Sequence, residues 1–378
     1  MARILFVISE DWALATHRLH LVKAALKQGH TIAVATRIST YRDQLENLGV
    51  TVFDWRLQRR SLNPFRELLT IKSLRTFISS FNPDLIHAVA LKPVIYTGLA
   101  TRFGFVGGIV FALGGVGYIF SNSSLRALML RVPMKFLVAF ALMGRQRRLI
   151  LQNEDDVEHF TKSGIIDRSS IRLVRGAGVE TDLFRPSPIP FGAPLVLLPS
   201  RLLWDKGVYE FVKVAARLKK ALPKSRFVIV GDTDQQNPAH IPNTTIRHWT
   251  DAGVVEHWQR VSHEEMPEIY KKASIVCLPS YREGLPKVLL EAASSARPIV
   301  AFDVAGCRDA VYSGVNGTLV PFKSVDLLQA AIWDLMLDRE RCIEMGKRGR
   351  GLVEQKFSSD IINDYTFKVW KEVMRHRN

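Results

Sequence analysis

The chain has 378 residues, enough for two or three domains with real cores, which excludes a peptide hormone or a disulfide-stapled miniprotein. Hydrophobic residues make up 47% and charged residues 23%, as in ordinary globular proteins, which excludes a largely disordered chain. The formal net charge is +16, and residues 1–150 hold 20 basic and 7 acidic side chains, so +13 of it lies there.

Charge and cysteine content bear on partners and compartment. The positive charge predicts an anionic partner, namely nucleic acid, anionic lipid headgroups or phosphorylated substrates, with a merely solubilising basic surface as the alternative. Cys277, Cys307 and Cys342 are odd in number and far apart, which fits neither a disulfide framework nor a four-ligand zinc site. A reducing cytosol is therefore the expected compartment.

The first third of the chain alternates short β-branched runs with helical patterns. This alternation predicts right-handed crossovers and a doubly wound parallel sheet. The predicted strands are Ile4–Ser9, Thr31–Thr36, Val50–Phe53 and Asp84–Ala88, and the predicted helices are Thr16–Lys27, Tyr41–Leu48 and one that opens at Pro64.

Two apolar segments resemble targeting or membrane segments by length or position, but neither is predicted to be one. Ile4–Ser9 is too short for a signal-peptide core and is followed by acidic residues. Residues 103–125 carry no charge over 23 positions, but six glycines interrupt them. A buried strand at Ile109–Leu113 and a flexible loop are predicted there, in preference to a spanning helix.

The next segment, Leu125–Arg148, alternates apolar blocks with six cations. This pattern predicts a helix lying on a membrane surface, where cations meet lipid phosphates and apolar side chains enter the interface. A core helix with snorkelling cations is the alternative, because the cations do not share one helical face and Pro133 interrupts the segment.

A proline-rich segment divides the chain. Arg185–Pro194 holds four prolines and a glycine in ten residues, which predicts an interdomain hinge. The alternation then restarts, so we predict two tandem doubly wound α/β domains, residues 1–185 and 192–361, with a helix over 362–378 that packs back on the first. The predicted strands of the second are Leu195–Pro199, Arg226–Val230, Val254–Trp258, Ser274–Pro279 and Ile299–Phe302, and its helices are Gly207–Ala221, Glu264–Ala273 and one from Pro286.

The first candidate loop runs from Tyr281 into the helix at Pro286. Ligands of doubly wound sheets bind at the carboxyl ends of strands, and here unpaired N–H groups around Gly284 and the helix dipole favour an anion such as a diphosphate. Glu291 is placed to accept hydroxyl hydrogen bonds, and Glu283 to touch the group beyond the phosphates. The alternative is that Glu283 only favours the helix dipole and Glu291 is solvated.

The second candidate loop, Ser200–Gly207, follows the first strand of the second predicted domain. Arg201 offers a planar fork of donors and Lys206 a compact charge, as expected where negative charge develops on a leaving phosphate. Either residue alone is ordinary surface. At the same sheet edge as the glutamate loop, the two predict a phosphate site.

At these residues the sequence resembles glycosyltransferase family 4, retaining enzymes of the two-domain GT-B fold. The family's paired glutamates match Glu283 and Glu291, and its Arg and Lys-Gly pair matches Arg201 and Lys206 with Gly207. The resemblance covers nearly the whole chain, with further matches at Gln152–Asp156, Gly176–Val179, Pro298–Ala301 and Gly306–Asp309. Within the family, Ser61–Phe65, Leu91–Pro93 and Leu113–Gly117 resemble bacterial transferases that extend polyprenyl-diphosphate-linked oligosaccharides.

The resemblance implies a donor-side role for each matching residue. Arg201, Lys206 and Glu283 would form the catalytic set, with the two cations on the donor diphosphate and Glu283 on the donor sugar. Glu291 would bind the ribose hydroxyls. Also implied in donor binding are Ser280, Pro286, the backbone of Gly284 and Leu285, and Trp258 at the strand end that meets the base.

The first domain departs from the family pattern. Many members carry a Gly-Gly loop after strand one and a second His two residues past the position of His87, where this chain has Val89. The implied acceptor-side residues are His17, Arg18, His87 and Lys92, and a buried or structural role is the alternative for them.

The resemblance implies transfer of an N-acetylhexosamine or hexose from a UDP-sugar to a polyprenyl-diphosphate-linked saccharide, in the assembly of surface polysaccharide, lipopolysaccharide O-antigen or glycan. Such an enzyme is expected in the cytoplasm, held peripherally on the inner face of the membrane. No metal or other cofactor is expected, because Arg201, Lys206 and the helix terminus supply the positive charge. Front-face displacement is expected, with Glu283 positioning the sugar and forming no covalent intermediate.

Two other functions compete with this interpretation. A nucleotide-sugar epimerase or phosphorylase on a similar scaffold would have no use for the +13 charge of residues 1–150. A nucleic-acid-binding protein would explain the charge but not the glutamate loop, and the sequence has no basic stripe interleaved with aromatic residues. The sequence therefore predicts no nucleic-acid partner.

Overall fold

The computed structural model describes residues 1–58, 61, 63–115, 125–235 and 237–374, and gives the backbone alone for 125–131. Leu62, Val116, Gly117 and the side chains of Arg126 and Arg131, which enter the interpretations above, lie outside the described set, as do residues 118–124 and 375–378. The chain forms two compact units. Unit 1 comprises Met1–Ala177 and the chain from Ile362 onward, and unit 2 comprises Gly178–Ile361.

Unit 1 is built on a seven-stranded parallel sheet with strand order β3-β2-β1-β4-β5-β6-β7. Its strands are β1 (Arg3–Glu10), β2 (Thr31–Arg37), β3 (Thr51–Asp54), β4 (Leu85–Val89), β5 (Gly108–Ala112), β6 (Arg147–Leu151) and β7 (Ile171–Leu173). Its helices are α1 (Asp11–His17), α2 (Leu19–Lys27), α3 (Arg42–Asn47), α4 (Pro64–Phe81), α5 (Leu91–Ala100), α6 (Leu125–Leu142) and α7 (Glu154–Lys162).

Unit 2 is built on a six-stranded parallel sheet with strand order β10-β9-β8-β11-β12-β13. Its strands are β8 (Leu195–Pro199), β9 (Arg226–Val230), β10 (Glu256–Trp258), β11 (Ile275–Leu278), β12 (Ile299–Phe302) and β13 (Gly317–Val320). Its helices are α8 (Val208–Ala221), α9 (Asn243–Asp251), α10 (Met266–Lys272), α11 (Lys287–Ser294), α12 (Ala305–Ala310), α13 (Val325–Leu337) and α14 (Arg339–Lys356), and α15 (Ser359–Met374) returns the chain to unit 1.

Helices cover both faces of the first sheet, which explains why its central strands are largely apolar. In β1, Leu5 and Val7 join the core formed with α4 to α7, whereas Ile4, Phe6 and Ile8 join the core formed with α1 to α3 and α15. A strand buried on both faces favours apolar side chains, and a polar one such as His87 needs a partner there. The two doubly wound parallel sheets predicted from the sequence are thus confirmed.

The chain after β1 becomes helical earlier than predicted. Helix α1 begins at Asp11, and a break at Arg18 separates it from α2. Asp11 favours the positive end of the helix dipole, and its carboxylate accepts hydrogen bonds from the backbone N–H groups of Ser39 (2.7 Å) and Tyr41 (3.0 Å). One side chain therefore starts α1 and holds the loop after β2.

The proline-rich segment is not the hinge that its composition predicts, because two arginines tie it into unit 2 and a third holds the residue before it. The buried Arg297 guanidinium donates to the carbonyl oxygens of Ser187 (2.7 Å) and Pro188 (3.2 Å). Arg339 donates to Ile189 O at 2.7 Å, and Arg350 to Phe184 O at 2.8 Å. The chain passes between the units at 177/178 and at 361/362 instead.

Helix α15 docks on unit 1 through a buried indole and an acidic residue near its end. The Trp370 indole N–H donates to His87 Nδ1 on β4 at 2.9 Å, inside the core that contains Phe6. Glu372 lies 2.9 Å from Arg172 Nε and 3.4 Å from Arg148 Nε.

No helix of the described residues is long and apolar enough to cross a bilayer.

The burial of His87 predicts a pH-dependent stability. Burial, reinforced by the charge of Arg18, lowers the pKa of His87 from its ordinary 6.5 to about 3. As the pH falls, the unfolded chain takes up this proton first, so the stability that His87 contributes is complete above pH 6.5 and is lost between pH 6.5 and about 3. In the wild type this lowers the free energy of unfolding by up to about 1.4 kcal/mol per pH unit, and we expect His87→Gln to remove that pH dependence.

This prediction is checked by denaturant unfolding of the wild type and the variant at pH 7 and pH 5. His248→Gln, at an exposed position of α9, is the matched control for loss of an imidazole. Equal losses of free energy of unfolding in the wild type and His87→Gln would contradict the assignment.

Candidate functional site

Two loops meet at the carboxyl edge of the second sheet because β8 and β11 are neighbours there. The Tyr281 N–H donates to the carbonyl oxygen of Asp205 at 2.8 Å, and the Ser280 hydroxyl lies 3.3 Å from the same oxygen. The Tyr281 hydroxyl donates to Glu210 Oε1 at 2.6 Å, and burial together with this bond raises the pKa of Tyr281 well above its usual value. The loops 200–207 and 279–286 are thus joined as one structure.

An ion pair lies at the junction of these loops. Lys206 Nζ is 2.5 Å from Glu283 Oε1, with 17% of the lysine side chain and 12% of the glutamate side chain exposed. The positive end of helix α11 begins four residues after Glu283, at Lys287. The arrangement presents a fixed carboxylate, a fixed ammonium group and a helix terminus within one loop system.

Glycines make this close packing possible. Gly207 has φ of +71°, and a Cβ at this position would lie 1.8 Å from the carbonyl oxygen of Pro279. A Cβ at Gly306, near the start of α12, would lie 2.2 Å from the carbonyl oxygen of Gly284. Any side chain at either glycine would therefore force the glutamate loop to move.

Arg201, predicted beside Lys206, lies on the same loop but has a different partner. Its Nη1 is 3.4 Å from Asp234 Oδ2, and 47% of its side chain is exposed. The backbone N–H of Leu202 donates to Asp232 O and draws this end of the loop toward the segment after β9. Arg201 is therefore paired at the outer part of the loop, with about half of its side chain open to solvent.

Glu291, predicted one helical turn beyond Lys287, is only 4% exposed, so the alternative of a solvated carboxylate is excluded. Tyr270 Oη lies 3.1 Å from its Oε2, and His263 Nδ1 lies 3.6 Å from its Oε1. Lys287 Nζ is 3.8 Å from the same Oε1. Glu291 therefore sits in a buried polar cluster.

Two residues that contact Glu291, His263 and Tyr270, carry no sequence motif and were not predicted. His263 Nε2 lies 3.2 Å from Glu180 Oε2, and the Phe184 ring packs against both His263 and Tyr270. In the sequence, Tyr270 is one more large residue on an amphipathic helix, and the only available signal was a polar His just ahead of that helix.

The other predicted donor-side residues lie around the same edge. Ser280 is fully buried and its hydroxyl bonds only within the loops, to Asp205 O and Arg282 O, both at 3.3 Å, so a direct donor contact from that hydroxyl is not supported. Pro286 caps α11 instead of opening it, and Leu285 is buried beside it. Trp258 ends β10, where Gly231 N–H donates to its carbonyl oxygen at 3.2 Å.

In unit 1, two of the four residues predicted to bind the acceptor have structural roles. His87 is 1% exposed and bonded to Trp370, so the structural alternative is correct for it and the predicted acceptor contact is wrong. Lys92 Nζ is held by the carbonyl oxygens of Gln58 (2.8 Å) and Ser61 (2.7 Å) and by Glu67 (3.2 Å), so its ammonium group secures a loop. His17 is half-buried at the end of α1.

Arg18, the last acceptor-side residue, is 7% exposed at the break between α1 and α2. Burial lowers its pKa to about 10. Its Nε is enclosed without a hydrogen-bond partner among the described residues. Within the same residues, Cys277, Cys307 and Cys342 are buried and unpaired, and no group of three or more His, Cys, Asp or Glu side chains could hold a metal ion.

The contact at Gly207 yields a prediction about the loops. Gly207→Ala should lower the free energy of unfolding by well over 1 kcal/mol and separate Lys206 from Glu283, because the new methyl group meets the Pro279 carbonyl. Gly253→Ala is the matched control, since Gly253 has a similar φ of +65° but nothing within 4 Å of its Cβ. That control should cost only the backbone strain, about 1 kcal/mol.

Both variants are compared by denaturant unfolding and by crystal structures of the loops. Equal destabilisation by the two alanines would mean that the Gly207–Pro279 contact does not set the loop geometry.

Comparison with known proteins identifies the family. A model described as glycosyl transferase 4-like matches residues 3–153, and one described as glycosyl transferases group 1 matches residues 179–352. The chain is similar to the N,N'-diacetylbacillosaminyl-diphospho-undecaprenol alpha-1,3-N-acetylgalactosaminyltransferase of Campylobacter jejuni, with 24% identity over 99% of this chain and 100% of that protein. It is also similar to the UDP-Gal:alpha-D-GlcNAc-diphosphoundecaprenol alpha-1,3-galactosyltransferase of Escherichia coli, with 24% identity over 71% of this chain and 70% of that one.

Among solved structures, Anabaena HepE in complex with UDP-glucose superposes with a TM-score of 0.78 and 18% identity, covering 97% of this chain and 99% of that one. This likeness shows the fold. The chain therefore belongs to the group 1, family 4-like glycosyltransferases and has their GT-B fold of two parallel-sheet domains.

Proposed function

We propose that this glycosyltransferase moves a sugar from a UDP-sugar to a polyprenyl-diphosphate-linked saccharide, with retention of the anomeric configuration. The observation that carries the proposal is the Lys206–Glu283 pair beside the start of α11, which offers a cation and a carboxylate at the sheet edge where nucleotides bind. The two relatives named above act, by their names, on diphospho-undecaprenol-linked sugars, and one of those names includes UDP-Gal.

In this proposal the positive groups of unit 2 stabilise the leaving diphosphate. Lys206, the terminus of α11 and a reoriented Arg201 face the charge that develops as the sugar–phosphate bond breaks. Lys206 and the helix terminus are already in place, so only Arg201 has to reorient. The proposal requires no metal ion.

The Lys206 contact gives Glu283 a positioning role. A carboxylate paired with an ammonium group at 2.5 Å is a weak nucleophile, but it can accept hydrogen bonds from sugar hydroxyls. In the proposed step the bond from the anomeric carbon to the phosphate oxygen breaks as the acceptor oxygen bonds to the same face. The acceptor proton passes to the departing diphosphate, which balances the reaction without a covalent sugar–enzyme intermediate.

Arg18 supports an anionic acceptor on unit 1. Arg18 is only 7% exposed, and its Nε has no partner among the described residues. A buried charge of this kind is costly without an anion nearby. The diphosphate of a lipid-linked acceptor has the matching charge and geometry.

Apolar side chains on two helices of unit 1 support attachment to a membrane. On α6, Val132, Phe136 and Leu137 are exposed, and near the start of α4, Phe65, Leu68 and Leu69 are exposed. Both helices pack on α5 and so lie on the same face of the sheet. Together with the excess of cations in residues 1–150, this face suits an anionic lipid surface, where the acceptor would be anchored.

The reaction is tested by nucleotide release from a panel of UDP- and GDP-sugars, with and without an undecaprenyl-diphosphate-linked saccharide. We expect UDP release that depends on the acceptor and falls at least about 100-fold in Lys206→Met and Glu283→Gln. Lys220→Met, an exposed position of α8, is the control and should retain wild-type turnover. Intact donors together with salt-dependent DNA binding would instead support the nucleic-acid interpretation.

Membrane attachment is tested by flotation with vesicles containing 30% anionic phospholipid. Replacing both Phe136 and Phe65 with serine should lower the bound fraction severalfold, because each removes a large exposed apolar group from the same face. Leu337→Ser, an exposed apolar residue of unit 2, is the control. Undiminished binding of the double variant would place the lipid contact elsewhere.

A further inference from the structure

We propose that Tyr270 and His263 are positioning residues that orient the carboxylate of Glu291 toward both ribose hydroxyls of the donor, and so make the enzyme prefer ribonucleotides to 2'-deoxyribonucleotides. The inference deepens the proposed function and rests on it, since it assigns residues to the nucleotide end of the same site. Neither residue belongs to a motif of the sequence.

Tyr270 fixes one oxygen of the carboxylate. Its Oη lies 3.1 Å from Glu291 Oε2 and 3.0 Å from the carbonyl oxygen of Val288, on the same helix as Glu291. Complete burial and the adjacent Glu291 raise the pKa of Tyr270 well above its usual value, so the hydroxyl remains a donor. A charged acceptor is the stronger of the two partners, and the proton therefore favours Oε2.

His263 acts on the other oxygen. Its Nδ1 lies 3.6 Å from Glu291 Oε1, while its Nε2 lies 3.4 Å from Lys287 Nζ and 3.2 Å from Glu180 Oε2. The proposed tautomer of the neutral ring carries its proton on Nδ1, facing Glu291, while Lys287 donates to Nε2. The opposite tautomer, in which Nε2 donates to Glu180, would turn the Nδ1 lone pair toward the Glu291 carboxylate.

Burial makes these contacts decisive for orientation. The Glu291 side chain is 5% exposed, and a carboxylate so enclosed rotates to whatever donors surround it. Here Oε2 accepts a hydrogen bond from Tyr270, and Oε1 faces the His263 ring at 3.6 Å and the Lys287 ammonium group at 3.8 Å. Each carboxylate oxygen has lone pairs for a further bond. In the proposed complex the two oxygens, about 2.2 Å apart as in any carboxylate, accept from the adjacent 2' and 3' hydroxyls of ribose.

The experiment measures the dissociation constants of UDP and 2'-deoxy-UDP by titration calorimetry, with GDP and 2'-deoxy-GDP as a second pair. We expect the wild type to bind the ribonucleotide about tenfold or more tightly, the effect of one hydrogen bond to a charged group. Tyr270→Phe and His263→Leu should each reduce that ratio at least about threefold. His263→Asn, whose amide can replace Nδ1, should keep the ratio closer to wild type than His263→Leu does.

Controls separate orientation from folding. Tyr312→Phe removes the same hydroxyl from a tyrosine whose partner is Lys356, outside the cluster, and should leave the ratio unchanged. In the transfer assay, the Tyr270 and His263 variants should raise the donor KM and change kcat less than about twofold, whereas general disorder would lower kcat as well. If Tyr270→Phe fails to fold, the His263 pair carries the test.

The outcomes distinguish this inference from the proposed function. A wild type that binds neither UDP nor GDP overturns the nucleotide-sugar reaction, and this assignment with it. A wild type that prefers ribonucleotides, with the same preference in Tyr270→Phe and His263→Leu, overturns the positioning roles and leaves the reaction standing.

Discussion

The approach of Gly207 to the carbonyl of Pro279 is the constraint on which the candidate site depends. Parallel strands β8 and β11 lie side by side although nearly 80 residues separate them in the sequence, so their loops meet only if both backbones can pack closely. The absent side chain at Gly207 allows that contact. The Lys206–Glu283 pair, the hydrogen bond from Tyr281 to Asp205 and the position of α11 all follow from it.

The two units solve the problem of buried charge in different ways. In unit 2, Glu291 is surrounded by donors and a cation, so its charge is compensated within the unit. In unit 1, His87 avoids the cost by remaining neutral, whereas the buried Arg18 keeps its charge and, among the described residues, has no hydrogen-bond partner at Nε. The first arrangement suits a preformed nucleotide site, and the second suits the anionic acceptor proposed above.

The sequence predicts an element correctly where its local pattern fits only one structure. Strands such as Ile4–Ser9 and Leu195–Pro199 are recognisable because a strand covered on both faces must be apolar along its length. Glu283 and Lys206 are recognisable because glycine, proline and charged residues cluster where a strand gives way to a helix.

The predictions failed where the role of a residue depends on partners that are distant in the sequence. Arg185–Pro194 is irregular, as its prolines require, but Arg297 and Arg339 hold it in place from more than 100 residues away. In the sequence His87 has the pattern of a functional histidine, but in the fold Trp370 covers it. Tyr270 and His263 acquire their meaning only from the fold that brings them to Glu291.

Helix α15 has a consequence for the order in which the protein is made. The residue that covers Phe6 and His87 is Trp370, which the ribosome adds only after the 184 residues of unit 2, Gly178–Ile361. At translation rates of 5–20 residues per second, this delay is roughly 10–40 s. During this time the apolar face of unit 1 stays uncovered, while unit 2 can already fold. The domain that is synthesised first is therefore the last to be completed.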